Sequence, residues 1–156
     1  MELRKSAKIL GVGKTYFFGY KDKKLAQAKN IIARLVRLIN KIKPAMVITF
    51  DPGGISGHTD HKAISRFATK AVKQAKANPQ LFYIQVSPQV VKALGLLKLS
   101  YPFKPTWRVD IRRFKGRKLK AIAAHQSQEK SRLRVANLVG KAKREFLSYE
   151  YFQEVN

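Results

Sequence analysis

The sequence contains no cysteine. That excludes a disulfide framework and a thiolate metal site, so any metal must be held by imidazole and carboxylate. It also fits a reducing, cytoplasmic setting. Acids and histidines are scarce as well: nine Asp plus Glu and three His in 156 residues. No apolar run approaches the ~20 residues of a membrane span; the nearest, IIARLVRLI, carries two Arg. Glu2 follows Met1 at once and Lys14 interrupts the first apolar stretch, which is a poor secretory leader. Repeats, low-complexity segments and linkers are also lacking. Residues 1–156 therefore read as one domain, and 45% hydrophobic residues are enough for one core.

What is plentiful is positive charge. Thirty-three Lys plus Arg against nine acids leave a formal net charge of +24. Such a field attracts nucleic acid or another polyanion, anionic surfaces, or acidic partners. The basic residues are spread along the chain, and lysines on solvated faces are the plain alternative. The sequence shows no evident aromatic-interleaved basic stretch of the kind single-strand binders use, which favours that alternative.

The periodicity predicts an α/β layered fold with a mostly parallel sheet. ELRKSAKIL places Leu3, Ala7 and Leu10 at helical spacing and stops at Gly11. TYFF, 15–18, reads as a short strand. A long amphipathic helix is predicted over 23–43, ended by Pro44. AMVITF, 45–50, suits a buried parallel strand. HKAISRFATKAVKQA reads as a second helix and LFYIQV, 81–86, as another strand. SPQVVKALGL is a candidate short helix, TWRVDI (106–111) a candidate edge strand, and RKLKAIAAHQSQ and SRLRVANLVGKAKREFL two more helices.

Between the second predicted strand and its helix lies GGISGHTDH, residues 53–61. It holds two of the three histidines. Ligand sites in open α/β sheets sit at the carboxyl ends of strands. His58 and His61 are three apart at a helix start and can project to one side, with Asp60 between them. The cluster suits a transition metal. The plain alternative is Asp60 at a positive helix N-terminus beside ordinary loop and surface histidines. His125 and Gln128 lie at a predicted helix end. Asp51 and Asp110 each end a predicted strand; Asp51 suits a pocket wall and Asp110 a structural role.

These stretches resemble the zinc-dependent N-deacetylases of the PIG-L, or LmbE-like, type. KPAMVITFDPGGISGHTDHKAISRFATKA is similar to that family's strand, Pro/Gly loop and G-H-x-D-H motif opening a helix. ELRKSAKILGVGKTYFFGYKDKKLA and VDIRRFKGRKLKAIAAHQSQ match it on either side. The resemblance implies a Rossmann-like sheet and zinc-dependent hydrolysis of an N-acetyl group, usually on an N-acetylglucosamine-containing molecule. It implies His61 as a zinc ligand, His58 as the group that stabilises or protonates the tetrahedral intermediate, and Asp60 as its orienting partner. Asp51, His125 and Gln128 become candidates for the substrate pocket. The chain departs from the family in lacking its first motif, Ala-His-Pro-Asp-Asp-Glu, which supplies the other zinc ligands and the general base. Lys23 and Lys24 also occupy a loop that is commonly Gly and acidic in relatives. An N-terminally incomplete domain is therefore expected, short by about one βαβ unit. Such a domain would bind zinc weakly and have little activity alone. It would have an open sheet edge that invites a partner chain or self-association. The alternative is a catalytically inactive basic remnant that binds RNA or another polyanion.

Overall fold

The computed structural model describes residues 2–95, 101–138 and 140–155. Leu96, the last residue of the predicted SPQVVKALGL helix, lies outside them. Among the described residues the elements run α1 (Glu2–Leu10), α2 (Ile31–Ile42), β1 (Met46–Phe50), α3 (Gly54–Gly57), α4 (Thr59–Gln74), β2 (Gln80–Gln85) and α5 (Pro88–Ala93). The remainder is β3 (Trp107–Asp110), α6 (Lys115–Ala123), α7 (Glu129–Ala136), α8 (Gly140–Ser148) and β4 (Tyr149–Val155), with short 3-10 turns between some of them.

The four strands form one sheet in the order β1-β2-β4-β3. β1 and β2 pair in parallel, with Val47 beside Leu81 and Phe50 beside Ile84. β4 lies antiparallel to both β2 and β3, so β1, β2 and β3 all point one way. This is the α/β layered architecture the periodicity predicts, with β4 as its single reversed strand. TWRVDI is an edge strand as expected.

Helices α2 and α4 cover one face. Ile39, Ala71, Val72 and Ala75 close over Leu81 and Tyr83, with Val47 and Val155 at the margin. A second cluster joins Ile31, Ala63 and Phe67. Each large apolar side chain buried there contributes about 1.5–3 kcal/mol. Strand alternation sends Met46 and Ile48 to the opposite face, and each is 51% exposed. Beyond the carboxyl ends of the strands, α1 packs on α6 and α5 on α8.

Local chemistry explains most boundaries. Gly11, at φ +81, closes α1 with a Schellman pair: Val12 N–H to Ala7 O at 2.9 Å and Gly11 N–H to Lys8 O at 3.1 Å. Lys43 in the left-handed region, followed by Pro44, ends α2. Some predictions fail. TYFF is not a strand, because it lies against α2, where Arg34 donates to the Phe18 carbonyl and the Tyr20 hydroxyl. The helix predicted over 23–43 starts at Ile31, because Asn30 takes φ +60 and a separate 3-10 turn occupies Leu25–Gln27. SRLRVANLVGKAKREFL, predicted as one helix, forms α7 and α8, with α7 ending at its cap Asn137. Tyr149–Val155, for which no element was predicted, forms β4.

Candidate active site

The loop after β1 folds back on itself. Asp51, 2% exposed, holds it: its carboxylate accepts the Ile55 N–H at 3.2 Å and its carbonyl the Gly54 N–H at 2.9 Å. The following turn is strained. Ile55 sits at φ 58, ψ −69, a region that side chains with a Cβ seldom adopt. Gly54, at φ +68, passes so close to α4 that a Cβ there would lie 2.9 Å from the His61 Cβ. Only glycine permits that approach.

The approach sets the state of His61. The His61 Nδ1 lies 3.2 Å from the Gly54 carbonyl oxygen. A carbonyl only accepts, so Nδ1 carries the proton and Nε2 presents a lone pair. The ring stacks on Phe50 at 3.9 Å with only 6° between the planes, which fixes its direction. His58 is the opposite case. It caps α4, and its Nδ1 accepts the Asp60 N–H at 3.2 Å. Nδ1 is then the bare nitrogen and Nε2 bears the proton. The two rings sit 4.9 Å apart. One site thus presents a hydrogen-bond donor and a lone pair side by side.

Asp60 is turned away from both rings. Its carboxylate accepts the backbone N–H of Lys23 at 2.6 Å and of Leu25 at 3.1 Å. It ties the 23–25 loop to the first turn of α4, and it touches His58 only through its own backbone N–H. His125 lies elsewhere, in the wall of a mainly apolar cavity of about 400 Å³ with Leu10, Ile84, Ser87, Ile122 and Phe146. No residue of the 50–61 loop lines that cavity among the described residues. Gln128 donates its N–H to the His125 carbonyl, and the intervening Ser127 binds the Glu2 carboxylate through N–H and hydroxyl. Those bonds lower the Glu2 pKa. Asp110 ends β3 in an ion pair with Arg112, which lowers its carboxyl pKa. The structure therefore brings Asp51, His58, Asp60 and His61 together; it places His125 in the wall of a separate cavity and leaves Gln128 outside that wall, bonded to the His125 carbonyl.

Phe50, the Gly54 carbonyl and the Lys23 and Leu25 amides escaped sequence reasoning. Phe50 adjoins the motif, but nothing in the sequence marks it as the surface on which His61 stacks. Backbone groups leave no residue signature at all.

These donors fit zinc in part. His61 fits as a ligand: a zinc-binding imidazole commonly donates its other N–H to a backbone carbonyl, and here Gly54 accepts it. Tight sites need about three protein ligands. The described residues contain no cluster of three or more His, Cys, Asp or Glu side chains able to hold a metal. Of the donors present, His61 alone would supply a ligand to such a site.

Residues 1–72 match the family described as PIG-L, GlcNAc-PI de-N-acetylase. The chain is a PIG-L relative. It is 30% identical over 131 residues to a diacetylchitobiose deacetylase of Thermococcus kodakarensis, covering 81% of this chain and 48% of that one. It is 31% identical over 115 residues to a 1D-myo-inositol 2-acetamido-2-deoxy-alpha-D-glucopyranoside deacetylase of Saccharomonospora viridis, covering 62% and 42%. This PIG-L relative thus spans about half the length of the proteins it resembles. Its fold matches a conserved protein of Thermus thermophilus at TM-score 0.72 and 21% identity, over 99% of this chain and 71% of that one. None of the helices among the described residues is long and apolar enough to cross a membrane.

Proposed function

We propose that this chain forms the histidine half of a zinc-dependent N-deacetylase acting on an N-acetylglucosamine-containing molecule. The observation that carries the reading is the pair of opposite imidazole tautomers. Amide hydrolysis develops negative charge on the carbonyl oxygen, and a fixed N–H aimed there stabilises it. The His58 Nε2–H is such a donor, held by the Asp60 amide on its other nitrogen. His61, braced by Gly54 and Phe50, offers Nε2 to the metal. Zinc, when bound, supplies carbonyl polarisation and an acidified water. Asp60 positions rather than reacts, because its carboxylate is committed to the 23–25 backbone. Relatives named as deacetylases of N-acetylated sugars support the substrate class, and the absence of cysteine suits a cytoplasmic setting.

The reading includes two further ligands and a general base from outside the described residues, in the same polypeptide or in a partner chain. The chain on its own should bind zinc weakly and release little acetate from N-acetylglucosamine derivatives. A zinc titration followed by ring-nitrogen NMR tests the assignment. His61 Nε2 should shift first and His58 should keep its Nε2–H. A titration that moves His58 and leaves His61 untouched would overturn it, as would one tight zinc per chain by equilibrium dialysis.

A further inference from the structure

We propose that a ledge built from residues 14–20 and the outer side of α2 binds single-stranded nucleic acid. The inference is independent of the deacetylase reading. Because TYFF does not join the sheet, its rings are left at the surface: Tyr16 is 42% and Phe17 45% exposed. Cations accompany them. The Lys14 ammonium lies 5.2 Å from the Tyr16 ring centre, and the Arg4 guanidinium 5.4 Å from that of Phe17. Arg34 of α2 lies 4.3 Å from the centre of the Phe18 ring. Phe18, Arg34, Arg37, Leu38 and Lys41 then wall a shallow cavity of about 220 Å³. Arg37 and Lys41 are exposed and one helical turn apart, about 6 Å along the axis. This is the aromatic-interleaved basic surface that was not evident in the sequence; KTYFFGYK supplies it once it is known to be a loop.

The counter-charge pattern separates this ledge from an ordinary solvated lysine face. Such faces usually mix both signs. From Lys14 to Phe50 the sequence holds a single acid, Asp22, against nine Lys and Arg. The two ion pairs among the described residues, Arg112–Asp110 and Lys118–Glu150, both lie elsewhere. Unpaired cations beside exposed rings match what a single strand offers: phosphates for the cations and an unstacked base for each ring. A membrane surface would meet the same charge, but it has no flat partner for rings already flanked by cations. A duplex keeps its bases stacked and away from loop aromatics.

The test is fluorescence anisotropy with a labelled oligo(dT) or oligo(U) of about 15 nucleotides, long enough to span one site, without added zinc. Binding should weaken linearly in log affinity against log salt and exceed binding to a hairpin duplex. Tyr16→Ala with Phe17→Ala should cost about tenfold or more. Tyr16→Leu with Phe17→Leu, which keeps apolar bulk without a π face, should cost about as much. Lys14→Glu, Arg37→Glu and Lys41→Glu together should weaken binding far more than Lys141→Glu, Lys143→Glu and Arg144→Glu on α8, although both triples change net charge equally. All the replaced side chains are exposed, and circular dichroism checks that each variant folds. Equal losses from the two triples, unchanged affinity in both aromatic pairs, no binding, or preferential binding to phosphatidylserine vesicles would each overturn the proposal.

Discussion

His58 and His61 face each other with ring centres 4.9 Å apart and carry their protons on opposite nitrogens. Each tautomer is set by a backbone group: the Asp60 N–H for His58 and the Gly54 carbonyl for His61. Long-range proton–nitrogen NMR of the neutral rings reads this directly. His61 should appear as the Nδ1–H form and His58 as the Nε2–H form. The same tautomer on both rings would remove the division of labour proposed for the site.

Gly54 is the residue on which the His61 tautomer depends. Gly54→Ala combines left-handed strain with a Cβ 2.9 Å from the His61 Cβ. It should cost about 1–3 kcal/mol in a urea melt and displace the His61 ring signals. Gly57→Ala is the control. It has φ +78 but nothing within 4 Å of the added Cβ, so it should cost about 1 kcal/mol from strain alone and leave His61 unmoved.

Asp60→Ala should detach the 23–25 loop. Two backbone N–H groups lose a charged acceptor, and hydrogen bonds to charged groups contribute about 1.5–3 kcal/mol. Amide exchange at Lys23 and Leu25 should accelerate while Ala71 and Val72, in the core, keep their protection. Unchanged exchange at Lys23 and Leu25 would show that the carboxylate does not hold the loop.

Tyr151, paired with Gln85 at the carboxyl end of β2, gives a pH signature. Partial burial, with its hydroxyl donating to Glu145, raises its pKa from 10.0 to about 12. The native state holds this proton more tightly than the unfolded chain. Its contribution is therefore complete below pH 10 and falls away as pH rises towards 12. In Tyr151→Phe, stability over that interval should decline less steeply than in the parent chain. Parallel curves would count against the assigned cause.

Much of the frame could be read from residue order. Ile31 to Ile42 and Thr59 to Gln74 become helices because apolar residues recur at the helical period and Pro44, or the end of the periodic run, stops them. AMVITF and LFYIQV become neighbouring strands because short β-branched and aromatic runs flank a helix. The location of the site was legible too, since a glycine loop holding scarce His and Asp residues follows a predicted strand; that strand, β1, is parallel to β2 as expected but is not buried, because it lies at the sheet edge with Met46 and Ile48 exposed.

Tertiary contact decided the rest. TYFF has the composition of a strand but lies on α2 beside Arg34, and a strand exists only where another offers its ladder. The lone-pair nitrogens of His58 and His61 depend on a main-chain amide and a main-chain carbonyl, and residue order does not encode where those point. Asp60 reads as an orienting partner in sequence, but residue order does not show that its carboxylate binds two amides 35 and 37 residues away. Local periodicity and turn chemistry are properties of neighbours along the chain. A tautomer, a ring stack and a carboxylate's partner are properties of neighbours in space, and the fold had to bring those together before they existed.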